Sequence, residues 1–248
     1  MSNISEQTDN HKEENLIPSS RWGSDVVIDA NDVEQKLLEI KNKIAPCKPR
    51  IIAVTKYYGL NAIVKAYEVG LRDFGESRAL DSVSKIEALP EDIRKNSKFH
   101  FIGHLQTNKA EKVVKYFDYI HSVDSLKLAR VISQVSCSLN KKERIFLQVN
   151  NAKEEQKFGY DVEQLRLEFS EIVKLPNLEV VGLMNMAPFG AGETELRELF
   201  RGLRNLRDDL EAEFEVKLPE LSMGMSDDYE IAVQEGATII RIGRKLFK

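Results

Sequence analysis

IIAVTKYYGLNAIVKAYE, residues 51–68, runs from a β-branched apolar stretch straight into a helical one. Residues 51–55 have the composition of a buried strand. Leu60, Ile63, Val64 and Tyr67 then take the i, i+3, i+4, i+7 spacing of an amphipathic helix. The turn between them, TKYYGLNA at 55–62, separates two strand–helix folds. A doubly wound dinucleotide fold carries GxGxxG in its first strand–helix turn, and this turn holds a lone glycine.

Seven further runs of strand character follow, at 72–75, 99–103, 119–121, 145–149, 178–183, 217–222 and 238–242. Helical patterns separate them. In one of these, Leu196, Leu199, Phe200, Leu203, Leu206, Leu210 and Phe214 form a stripe, and Glu195, Arg197, Arg201 and Asp208 fill a wet face. Strands alternating with helices pair in parallel through right-handed crossovers. Eight such units predict an α/β fold, a (β/α)8 TIM barrel, as a single domain over residues 25–248. An extra N-terminal helix, VEQKLLEIKNKI behind the capping pair Asn31-Asp32, is expected over one end. Residues 1–24 are polar and aperiodic and read as a disordered or loosely attached extension, with Trp22 the residue able to pin its end.

Composition excludes several classes. Of 248 residues, 42% are hydrophobic and 31% charged, enough for a sizeable core. The 36 Lys+Arg against 40 Asp+Glu leave a net charge of −4, which argues against a broad nucleic-acid surface. No apolar run reaches the roughly 18 residues of a membrane span, and the N-terminus lacks the apolar stretch of a secretory signal. Cys47 and Cys137 form neither a CxxC pair nor a disulfide framework, so buried thiols in a reducing cytoplasm are expected. His100 and His104 have metal-ligand spacing only if helical, and FHFIGH reads as strand and turn. No metal site is expected; His100 is assigned to core packing and His104 to a loop. Gly190-Ala191-Gly192 is a lone GxG in a loop, and the lysines of KVVKYF and NKKER read as solvated faces.

Three features point to chemistry. Lys56 ends the first strand, so a barrel would carry its amine to the active-site face. A desolvated lysine loses its proton more readily, and a neutral amine attacks carbonyl groups. Second, LSMGMSDD at 221–228 closes a strand and opens the helical run DYEIAVQEG, with Ser226 as the expected N-cap. A helix N-terminus is a ready anion site, and Gly224 lets backbone approach a phosphate, although Asp227 and Asp228 must then face away. Third, Arg241 and Gly243 lie on the last strand, where alternation points the arginine either into the barrel mouth or out among the helices. Strands one and eight are neighbours in a closed barrel, so the amine, the anion cradle and the arginine converge.

At this point the chain resembles the YggS/PROSC family of pyridoxal phosphate homeostasis proteins, which are similar to the N-terminal barrel of alanine racemase. The resemblance rests on IIAVTKYYG (51–59), DFGESRALD (73–81), FHFIGHLQTNK (99–109), EEQKFGY (154–160), VVGLMNMAP (180–188), LSMGMSDDY (221–229) and IIRIG (239–243). It implies that Lys56 carries pyridoxal 5′-phosphate (PLP) as an aldimine and that Ser226 binds the phosphate with Gly243 and the N–H of Arg244. It also implies that Arg241 faces the pyridine nitrogen and that Met223 lines the pocket. Ser77 stands where the family has asparagine, and Arg244 where it has threonine.

An arginine opposite the pyridine nitrogen disfavours the protonated ring and so weakens the electron sink that carbanion chemistry needs. The sequence also ends after the barrel, short of the domain that supplies a racemase with its second base. The resemblance thus implies a cytoplasmic, non-catalytic monomer that stores, protects and delivers PLP, with apo-PLP-enzymes or a regulatory protein as partners and neither nucleic acid nor membrane. The alternatives are a racemase-like or promiscuous PLP enzyme using Lys56 with Tyr57 or Tyr58, and a phosphate-sugar barrel enzyme.

Overall fold

A computed structural model describes residues 26–152 and 158–248. The expectations for residues 1–24, including Trp22, and for the EEQK part of one motif lie outside the described residues. The eight strands are β1 (Arg50–Val54), β2 (Asp73–Glu76), β3 (Lys98–Phe101), β4 (Tyr119–Val123), β5 (Glu143–Gln148), β6 (Leu178–Met184), β7 (Glu220–Met225) and β8 (Ile239–Ile242). They pair in parallel, in chain order, and close into a barrel through β1 and β8. The α/β barrel read from the alternation is therefore the fold observed.

Strand alternation sorts the apolar residues into two cores. Ile52, Val54, Phe146, Val181, Met184 and Ile239 fill the lumen. Strand residues of the opposite face, such as Ala53, Phe74, Leu221 and Ile240, belong to a larger core with the helices. That outer core is covered chiefly by α2 (Leu60–Glu68), α3 (Ala79–Glu87), α4 (Glu91–Lys95), α5 (Ala110–Tyr116), α6 (Leu126–Ser138), α7 (Val162–Ile172), α8 (Glu193–Phe214) and α9 (Tyr229–Gln234). In α8 the residues Leu196, Leu199, Phe200, Leu203, Leu206 and Leu210 are buried, each worth about 1.5–3 kcal/mol relative to exposure.

The extra helix α1 (Ala30–Lys43) corrects two expectations. Its N-cap is Asp29, whose carboxylate accepts from the N–H groups of Asn31 (2.8 Å) and Asp32 (3.3 Å); the predicted capping pair lies inside the first turn. It packs against α2 and α10 (Arg244–Phe247), and Lys43 reaches Glu230 of α9 at 3.2 Å. It therefore stands in the helical ring rather than over an end. The four-residue α10 is too short to cover β8 and β1, and α1 supplies the missing layer.

Three further readings change. The strand expected at 217–222 begins at Glu220 and continues to Met225, because a bulge between Ser222 and Met225 takes up Gly224 without ending the pairing. Lys141 is not a solvated lysine: it is half-buried, donates to the carbonyls of Val114 and Phe117 at the end of α5, and pairs with buried Glu143. Both described cysteines are exposed, not buried. No described helix is long and apolar enough to cross a membrane, and no described group of three or more His, Cys, Asp or Glu is arranged to hold a metal.

Candidate functional site

The C-terminal ends of β1, β7 and β8 meet at one mouth of the barrel. Ile52 pairs with Arg241 and Ala53 with Ile242 across β1–β8, and Met225 pairs with Arg241 across β7–β8. Ile52 and Val54 point into the lumen, and alternation carries Lys56 toward the same axis just past the strand end. Lys56 is half-buried, with its amine 5.0 Å from the centroid of the Tyr57 ring, and no described carboxylate pairs with it.

The turn holding Lys56 is clamped from below by a second lysine. The Lys85 amine donates to the carbonyls of Thr55 (2.8 Å) and Tyr58 (2.7 Å) and to Glu76 Oε1 (2.7 Å), which also accepts from Thr55 Oγ1 (2.7 Å). Lys85 and Glu76 are both buried. A buried charge pair survives when its remaining donors and acceptors are satisfied, and here two backbone carbonyls complete the ammonium's set. These residues were absent from the sequence reading. A lysine and a glutamate at apolar-face positions of α3 and β2 were the signal.

Arg241 resolves the alternation question: its side chain lies in the lumen and is 4% exposed. One terminal nitrogen, Nη1, donates to Ser222 O and Ser222 Oγ, both at 2.7 Å, and the other, Nη2, to Asn185 O at 2.7 Å. Three of its five N–H groups are thus used, and the other two have no partner among the described residues. No described carboxylate forms an ion pair with it. Burial pulls the guanidinium down to about 10, with Asp228 opposing from a distance, so it remains a cation near neutrality. A desolvated cation with unspent donors favours an anionic or acceptor-bearing ligand.

Beneath Arg241 the lumen is polar. Ser222 Oγ lies 2.9 Å from His121 Nδ1, His121 Nε2 lies 2.9 Å from His100 Nδ1, and His100 Nε2 lies 2.9 Å from Asp73 Oδ1. Burial drives His121 well below the ordinary histidine range, helped by the positive charges around it, and lowers His100 despite its hydrogen bond to Asp73. His100 is more than the packing residue expected of it. His104 is in a loop as expected, stacked on Phe158 at 3.7 Å and 3.4 Å from Asp124.

At the β7 end the cradle is built differently from the sequence expectation. Asp228, not Ser226, is the N-cap of α9, and its carboxylate accepts from the Met225 N–H at 2.5 Å. Ser226 is buried and turns toward the other neighbour, its Oγ 3.4 Å from the N–H of Lys245 in α10. The hydroxyl therefore sits beside the first turn of α10, whose N-cap is Gly243 and whose early N–H groups lack helical acceptors. Gly224 has φ +91°, and a Cβ there would sit 2.5 Å from the Ala232 side chain, so the bulge needs glycine. Asp227 pairs with the exposed Arg244 guanidinium, which leaves the Arg244 N–H but commits its side-chain charge.

Met223 departs from its assigned role. It is fully buried in the sheet–helix core and apart from the lumen cluster, because the alternation that turns Ser222 inward turns Met223 outward. Met225 takes the place beside Arg241. Ser77 follows β2 at the same mouth, half-buried, with its backbone tight against Gly103, where a Cβ would come within 2.2 Å of Ser77 O.

Residues 28–248 match the model of a family described as "Alanine racemase, N-terminal domain". A protein of Synechocystis named pyridoxal phosphate homeostasis protein is 42% identical over 204 residues, 82% of this chain and 92% of its own length. One of Aquifex aeolicus with the same name is 40% identical, over 80% of this chain and 86% of its own. Among solved structures, PipY of Synechococcus elongatus, determined with PLP bound, aligns with a TM-score of 0.79 at 36% identity, over 87% of this chain and all of its own. Alanine racemase of Clostridium difficile shares the fold, with a TM-score of 0.70 at 16% identity, over 88% of this chain and 57% of its own.

Proposed function

The chain belongs to the alanine racemase N-terminal domain family, among its pyridoxal phosphate homeostasis proteins, and from that premise we propose that it holds PLP at the barrel mouth through Lys56 and stores, shields and hands over the cofactor. The observation that carries the reading is Arg241, a buried cation with two unspent donors and no carboxylate partner among the described residues, at the mouth that Lys56 also faces. Those donors fit the pyridine nitrogen and the negative charge of such a ligand. Lys56 offers a primary amine free of any described ion pair, and Ser226 with the first N–H groups of α10 offers a phosphate site. Ser77 belongs to the wall of the same mouth, and Gly243 and Arg244 contribute backbone.

When bound, PLP supplies an aldehyde that condenses with amines and a ring that can accept electrons. The protein's own groups favour the first property over the second. An arginine does not give up its proton to the ring and offers only hydrogen to the ring nitrogen, so that nitrogen stays unprotonated. The tyrosines proposed as partner bases are poorly suited. Tyr58 is buried against Phe247 with its hydroxyl raised by burial, and Tyr57 is exposed. A holder that exchanges its cargo by lysine chemistry accords with these features better than a racemase, and delivery to apo-enzymes in a cytoplasmic setting is part of the same proposal.

The test is titration of the purified protein with PLP. A visible, borohydride-bleached band at one equivalent is expected, with no enzyme-like exchange of amino-acid α-protons in deuterated water. Arg241→Ala keeps the lysine linkage but binds PLP about 10- to 100-fold more weakly, the loss of a hydrogen bond to a charged group. Unchanged affinity and spectrum in that variant, or rapid exchange by the wild type, would refute the reading.

A further inference from the structure

Asp73, His100, His121, Ser222 and Arg241 form one chain of hydrogen-bonding distances from the N-terminal end of β2, across the lumen, to the mouth at β8. His100, His121 and Ser222 are wholly buried, and His121 meets Ser222 from the opposite wall. The two rings are held by stacking: His100 lies 4.6 Å from Tyr119 with planes 3° apart, and His121 lies 4.1 Å from Phe146 with planes 20° apart.

The two ends fix the direction of every bond between them. A guanidinium only donates and a carboxylate only accepts. Arg241 donates to Ser222 Oγ, so the single hydroxyl proton of Ser222 goes to its one described acceptor, His121 Nδ1. That nitrogen is then bare, and the His121 proton sits on Nε2, aimed at His100 Nδ1. His100 in turn carries its proton on Nε2 and gives it to Asp73. Both imidazoles are neutral in this arrangement, as their burial favours.

We infer that Asp73, His100, His121 and Ser222 are positioning residues that fix the orientation and the positive charge of Arg241 from the opposite end of the barrel. The inference deepens the PLP-holding reading and rests on it for the consequence at the mouth, though the direction of the chain stands on the protein alone. Each donor is polarised by the acceptor below it, so the Asp73 charge is felt at the guanidinium through four short bonds. Asp73 is half-buried and faces Arg50, whose Nε lies 4.0 Å away and whose Nη2 lies 3.2 Å from Glu220. The far anchor is therefore itself set by an ion cluster on the other face of the barrel.

Nitrogen-15 NMR of the full chain without PLP tests the direction: both His100 and His121 are expected as neutral rings with the proton on Nε2. A Nδ1 proton or an imidazolium on either residue overturns the inference. Ser222→Ala tests the consequence, with PLP binding about tenfold weaker and the visible band displaced, and Ser222→Thr, which keeps the hydroxyl, restores both. Asp73→Ala, at a part-exposed site that leaves the packed lumen intact, weakens binding about threefold in the same sense. Unmoved affinity and spectrum in both Ser222→Ala and Asp73→Ala overturn the inference even where the tautomers are as assigned. A wild type with no PLP band refutes the cofactor reading instead, and the NMR result still decides the relay.

Discussion

Lys56→Ala is expected to remove the visible, borohydride-sensitive PLP band entirely while leaving the fold unchanged. Lys56 is half-buried beyond the end of β1 and makes no described hydrogen bond or ion pair, so its removal leaves no buried partner unsatisfied. The melting temperature without PLP should therefore stay close to that of the wild type, since substitutions outside core contacts and networks commonly fall within about 0.5 kcal/mol. Arg241 and Ser226 remain in Lys56→Ala, so PLP should still bind, non-covalently and more weakly. Absorbance before and after borohydride, with a thermal scan on the same sample, checks both halves. A persistent reducible band would move the linkage to another lysine.

The second large effect is on stability. Lys85→Met is expected to cost about 3–5 kcal/mol, because it strands the Glu76 carboxylate, buried at 3% exposure, without its counter-ion. For a chain of this size that is a fall of about 10 °C in the melting temperature. The double substitution Lys85→Met with Glu76→Leu should recover most of the loss, since replacing both members of a buried pair by apolar groups is often neutral. Lys85→Met should also weaken PLP attachment, because the Thr55 and Tyr58 carbonyls that flank Lys56 lose their shared donor. Denaturant unfolding of both variants measures this. A single-variant loss below about 1 kcal/mol would show that the clamp is not what holds the turn.

The barrel was legible because its evidence is local. Most strands are short apolar runs with β-branched or aromatic residues, the longer helices carry a 3.6-residue stripe, and the turn at 55–62 rules out the rival fold within eight residues. The placement of Lys56, Arg241 and Gly243 at one mouth was legible for the same reason, since each stands at or just past a strand end. What escaped depends on contacts between distant residues. His121 and Ser222 lie 101 positions apart, and no pattern within either strand says that their side chains meet. The trace that did exist was a polar residue at an inward position of otherwise apolar strands, as in YIHSV and ELSMGM.

The cap role read for Ser226 was displaced by one local feature. A bulge around Gly224 lengthens β7, shifts the cap of α9 to Asp228, and turns the Ser226 hydroxyl toward α10. Bulges alter strand parity by a residue, and alternation alone does not locate them. Asp29 displaced the expected cap of α1 by a similar margin, because three residues with capping side chains, Asp29, Asn31 and Asp32, stand within a few positions of one helix start.

The central claim is the site of attachment. Full-length protein loaded with PLP, reduced with borohydride, digested and mapped by mass spectrometry should carry the cofactor-derived mass on one peptide, with the modified residue at Lys56 and about one group per chain. Modification spread over surface lysines, or confined to a lysine elsewhere with Lys56 unmodified, would contradict it.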